Sequence, residues 1–98
     1  MARYDVYRQD SGSLLLDVQA DILDDLNVRA TVPLLAPDRA PMPIRTLNPK
    51  LVIHGETLMM MTQYIGAVPT QQLSPPIENL SRHHDEIIAA LDMLFQGF

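Results

Sequence analysis

The chain of 98 residues has no cysteine, only four glycines, and seven basic residues against twelve acidic ones. Without cysteine there is no disulfide framework, no thiolate metal site and no thiol nucleophile. So few glycines leave no Gly-rich loop to cradle a phosphate. The basic residues (Arg3, Arg8, Arg29, Arg39, Arg45, Lys50, Arg82) are scattered through a chain of net charge −5. Binding a phosphate backbone takes clustered Lys and Arg that displace counterions, so contact with nucleic acid is expected to run through a partner protein. No apolar run approaches the roughly 20 residues that span a bilayer. The opening MARYDVYRQD is too polar for a secretory signal. A cytoplasmic address and no membrane partner are the expectation.

What is present is an ordinary globular balance, 47% apolar and 19% charged, enough for one domain over residues 1–98. Residues 14–20, LLLDVQA, alternate Leu14, Leu16, Val18 and Ala20 against Leu15, Asp17 and Gln19. That period predicts a strand with one wet face. YDVYR alternates likewise, and Ser11-Gly12 supplies the turn of a β-hairpin over residues 3–20. RATVPLL (29–35) reads as a third strand, with Pro33 at an edge, an end or a bulge because it lacks a ladder donor. Four prolines in residues 36–49 predict a long irregular excursion. Residues 51–62 read as two strands joined at His54-Gly55-Glu56, and 67–73 as a last short strand. From about residue 81 to 96 the pattern turns helical. Ser81 is the expected N-cap, Asp85 and Glu86 suit the first turns, and Gly97 the C′ position. Ile87, Ile88, Leu91, Leu94 and Phe95 make one apolar face. The fold class is therefore mostly β with one C-terminal α-helix, an antiparallel barrel or sheet on which the helix docks.

Groups that could carry chemistry all have plain structural uses. His83 and His84 point about 100° apart on a helix, and Ile87 and Ile88 occupy their i+4 positions, so no metal site is expected. His54 reads as a polar turn residue. Met59-Met60-Met61 suits an irregular core, with a dimer seam as the alternative. Asp24-Asp25 reads as a pair of solvated loop acids. No Ser or Thr has a base in a recognisable order, so the spacing predicts a binding protein, with no cofactor and no catalysis. The segment ALDMLFQGF (90–98) stands apart. Either Phe95 packs in the core with Phe98 folded over it, or the aromatic end is a peg for a partner's pocket.

Three stretches resemble the CcdB toxin family in order and over nearly the whole chain: LLLDVQADILDDLNVRATVPLL, PKLVIHGETLMMMTQYIGAVP and LSRHHDEIIAALDMLFQGF. The resemblance implies an SH3-like antiparallel barrel with a terminal helix, like that of MazF, acting as a cytoplasmic homodimer. It implies a toxin of a toxin–antitoxin pair that binds the A subunit of DNA gyrase and traps the cleaved-DNA complex. A CcdA-like antitoxin would neutralise it, and the pair would repress its own operon, with DNA reached only through the antitoxin. By the same resemblance the gyrase-binding residues are Asp92, Phe95, Gln96, Gly97 and Phe98, with Ile22 and Leu23 as supporting contacts. The best-known member ends in Trp-Gly-Ile, where this chain has Gln96-Gly97-Phe98. An amide thus replaces an aromatic suited to stacking on Arg. Two other readings are a MazF-like endoribonuclease, which would want cationic groups about an acid–base site, and a non-poisoning, antitoxin-binding co-repressor of the same fold.

Overall fold

Alternating apolar residues and short turns build most of the chain into one antiparallel sheet. The computed structural model describes residues 1–97; Phe98 lies outside the described residues. The strands are β1 (Asp5–Arg8), β2 (Leu14–Asp17), β3 (Val28–Leu35), β4 (Lys50–Ile53), β5 (Glu56–Met60), β6 (Gly66–Pro69) and β7 (Glu78–Asn79). Their order is β4-β5-β3-β2-β1-β7, with β6 also paired to β3. The sheet curls into a nearly closed barrel, and helix α1 (His84–Gln96) follows it. The mostly β fold with one terminal helix is as the alternation predicts. No helix among the described residues is long and apolar enough to cross a membrane.

Strand β3 is the spine. One side pairs with β2, while the other meets β6 over Val28–Thr31 and β5 over Leu34–Leu35. Pro33 sits inside this central strand, not at a sheet edge. The Met61 N–H donates to the Pro33 carbonyl at 3.0 Å, so the missing Pro33 donor faces the seam where β3 changes partner. A proline is tolerated there because the ladder is already interrupted.

The main core gathers Val6, Leu16, Val32, Leu34, Leu51, Ile53, Leu58 and Met60 from the strands with Tyr4, Val18, Leu80, Ile87 and Ala90. The face of β2 predicted to be wet is buried as well: Leu15, Asp17 and Gln19 are closed to solvent, as are Tyr7, Arg29, Met59 and Met61. Burial of all three consecutive methionines assigns them to packing. Asp17 and Gln19 tolerate burial because both are hydrogen-bonded, as buried polar groups must be.

The connections follow local chemistry. His54 (φ 50°) and Gly55 (φ 80°) form a two-residue turn of the left-handed kind that matches strand twist. The proline-rich segment 36–49 is irregular and is pinned by Asn48, whose side chain accepts from Ile44 N–H (2.9 Å) and donates to the Met60 carbonyl (3.0 Å) and Gln63 Oε1 (2.7 Å). The predicted strand 67–73 stops at Pro69, and Thr70–Gln72 is a 3-10 turn. Strand β7, two residues beside β1, was not legible behind Ser74-Pro75-Pro76 because so short a bridge carries no period. Ser81 does not cap α1. Residues Ser81–His83 form a 3-10 turn, and Asn79 Oδ1 accepts the Ser81 N–H at 3.0 Å in its stead.

Candidate functional site

The thirteen residues of α1 carry Asp85 and Glu86 in the first turn, where the helix dipole favours negative charge. One narrow stripe meets the barrel: Ile87 and Ala90 are fully buried and Leu91 packs against the core. Ile88, Met93 and Leu94 are half-buried. The start of the helix is tied down by side chains. Tyr4, buried and held in the left-handed region (φ 73°), meets His84 Nδ1 through its hydroxyl at 2.5 Å, ring edge to ring face. Burial raises the Tyr4 hydroxyl above its ordinary pKa. The nearby Arg3 opposes this, while Asp21 and Asp85 add to it. Arg82 Nη1 donates to Glu78 Oε1 at 2.9 Å and Nη2 to the Val52 carbonyl at 2.5 Å, joining the approach to the helix to β4 and β7.

The far end is different. Asp92, Phe95, Gln96 and Gly97 are all exposed, and Phe95 presents 69% of its surface to solvent. Of the two readings of Phe95, packing in the core is excluded: at this turn the 3.6-residue period has carried its stripe past the edge of the barrel. Gly97 ends the helix at φ 81°, its N–H donating to the Met93 carbonyl at 3.0 Å. The expectation for Phe98 lies outside the described residues. An aromatic side chain exposed on a helix and followed by a left-handed glycine offers apolar surface that a partner can bury. Covering one Phe contributes about 1.5–3 kcal/mol.

Ile22 and Leu23 occupy a second place. They lie in the 3-10 turn Asp21–Leu23, and Ile22 is 91% exposed. Arg3 N–H donates to Asp21 Oδ1 at 2.8 Å, next to the Tyr4 that grips His84 at the helix start. Phe95 lies eleven residues beyond His84, about 16 Å along the axis. Within one chain the two groups of expected contacts are thus set at different ends of α1. Leu26 is a further exposed apolar residue of the same loop that sequence reading missed.

Beneath this loop lies a buried polar cluster. Arg29 Nε meets Asp17 Oδ2 at 2.7 Å and Nη1 meets Asp24 Oδ1 at 2.8 Å, with Arg29 and Asp17 wholly buried. The hydrogen bond that Arg29 donates to Asp17 holds the guanidinium charged against the opposing cost of burial. Tyr7 donates its hydroxyl to the same Asp17 oxygen at 3.3 Å. Burial foremost, then the charges of Asp17 and Asp5, push that hydroxyl well above the usual tyrosine range. Asp24 is therefore not the free loop acid expected. An arginine opening an apolar strand, Arg29-Ala30-Thr31-Val32, was the available signal.

The histidines have local partners: His54 Nε2 lies 3.2 Å from Glu78 Oε2, His83 Nδ1 lies 3.2 Å from Glu86 Oε1, and His84 bonds Tyr4. A sequence profile of the family described as CcdB protein matches residues 3–97. Together with the strand-rich barrel and its terminal helix, a match over nearly the full chain places this protein in the CcdB family, the toxins of toxin–antitoxin systems.

Proposed function

We propose that this toxin poisons DNA gyrase, binding the enzyme's A subunit and holding it with its DNA cleaved. The observation that supports this most is the exposed aromatic end of α1. Phe95 stands clear of the barrel while Ile87 and Ala90 anchor the same helix, so the end is stiff and its apolar surface is free to be buried by a partner. Asp92, Gln96 and Gly97 border it, Phe98 is the next residue of the sequence, and Ile22 and Leu23 add contacts from the Asp21–Leu23 turn. The toxin acts as a homodimer in the cytoplasm, and two copies present two such ends.

Poisoning of this kind asks for no bond-making by the toxin. Gyrase alternates between closed and opened forms, and a ligand that prefers one form shifts the population toward it. Taking an opened form from rare to dominant needs about 5.5 kcal/mol of differential affinity. Two copies of an apolar contact worth a few kcal/mol each meet that requirement. A CcdA-like antitoxin neutralises the toxin and joins it in repressing their operon, contributing the contact with DNA that an acidic chain of scattered arginines does not make.

Expression in cells with sensitive gyrase tests the reading. Growth arrest relieved by a resistant A subunit is the expected result. Arrest that persists with resistant gyrase, or cleavage of RNA by the purified protein in the absence of gyrase, contradicts it. Unimpaired growth together with a toxin-dependent shift of antitoxin on operator DNA would instead mark a non-poisoning co-repressor, the outcome to which Gln96 beside Gly97 is most relevant.

A further inference from the structure

The stretch from Ala20 to Asn27 is exposed at every residue, so the loop has no apolar side chain inserted in the core. Its apolar members Ile22, Leu23 and Leu26 face solvent. Such a segment has little burial to order it and belongs to the least stable part of a fold unless something else holds it. Here the holding groups are polar and come from below. Gln19 Nε2 donates to the Leu23 carbonyl at 3.0 Å while its Oε1 accepts the Ala30 N–H at 3.1 Å. Arg29, fixed at Nε by Asp17, reaches up to Asp24 Oδ1 through Nη1. Gln19 and Arg29 are both more than nine-tenths buried.

Stability alone is a weak reason for this arrangement. A buried ion pair costs desolvation that its attraction only partly repays, and apolar replacements of similar volume are often as stable or more so. Among the described residues Arg29 Nη2 moreover has no partner, a further cost for a buried donor. The guanidinium fork is oriented by its two carboxylates and not by the need to satisfy every N–H. What the arrangement does achieve is direction: the loop is gripped by its backbone at Leu23 and by its side chain at Asp24, where the Asp21–Leu23 turn closes, leaving Ile22 and Leu23 exposed.

We infer that Arg29, Asp24 and Gln19 are positioning residues: they lock the Asp21–Leu23 turn from beneath so that Ile22 and Leu23 meet a partner in a pre-ordered form. The inference rests on the reading of those two residues as gyrase contacts given above. Binding to a loop already ordered avoids the entropy of ordering it at the moment of contact.

A double-mutant cycle on the folded protein tests it, with affinity for the gyrase A subunit measured by calorimetric titration and thermal melting followed alongside. Asp24→Asn keeps the shape of a side chain that is 54% exposed and removes its charge from Arg29. We expect it to weaken binding about tenfold. On the Ile22→Ala/Leu23→Ala background, where there is nothing left to position, the same change is expected to cost less than about twofold. Gln19→Met, which removes the donor to the Leu23 carbonyl by a separate route, is expected to repeat the pattern. Equal losses in both backgrounds, or no loss in either, overturn the inference while leaving gyrase binding intact. A wild-type protein that does not bind the A subunit overturns the gyrase reading itself and the inference with it.

Discussion

The Tyr7 hydroxyl is shut away from water beside Asp17, and its ionisation would place two negative charges 3.3 Å apart. Its folded pKa lies above the unfolded value near 10, raised first by burial and then by Asp17 and Asp5. The stabilisation is therefore complete below about pH 10 and is lost as pH rises toward the folded value. Melting temperature is expected to hold on the neutral side and to fall above about pH 10. Tyr7→Phe should flatten that fall, and an unchanged slope in the variant would show that the loss arises elsewhere. Arg29 carries the complementary prediction. Arg29→Ala strands Asp17 as an unpaired buried charge and should cost about 3–5 kcal/mol in urea unfolding, while a change below about 1 kcal/mol would mean that water or a shifted side chain takes its place. Neither role was legible beforehand. Alternation marks Asp17 and Gln19 as outward, and only the register that sets Asp17 opposite Thr31, two residues from Arg29, shows that the outward face is closed.

At the scale of elements, α1 divides into a buried beginning and a free end, and substitution should separate them. Ile87→Ala opens a cavity in the core and is expected to cost about 2–5 kcal/mol. Phe95→Ala, on the exposed turn, should change stability within about 0.5 kcal/mol while sharply reducing affinity for the gyrase A subunit. The contrary pattern, a destabilised Phe95→Ala with full affinity, would place Phe95 back in a packing role. The helix, its glycine stop and the two hairpins were all readable, since apolar period and turn residues are local signals. The division of the helix was not. Periodicity gave Ile87, Ile88, Leu91, Leu94 and Phe95 one face, but how far the barrel extends beneath that face depends on long-range packing. Pro33 was placed incompletely for a related reason: a missing donor signals an edge, an end or a bulge, whereas here it falls where a central strand changes neighbours.

For the whole molecule, the barrel acts as a mount. It fixes the base of α1 through Tyr4, Ile87 and Ala90, and the base of the Asp21–Leu23 turn through Gln19 and Arg29, leaving Phe95 and Ile22 outward. On the function proposed above, harm comes from grip at the end of α1 and requires no chemistry by the toxin. The most direct test is gyrase with supercoiled plasmid, given saturating wild-type protein or a variant lacking Gly97 and Phe98, followed by denaturation to reveal enzyme-bound breaks. Wild type is expected to accumulate linear DNA covalently attached to gyrase, and the shortened protein, folded by circular dichroism, to accumulate none. Linear DNA at equal yield from both proteins, or uninterrupted supercoiling with wild type at saturation, would contradict that function.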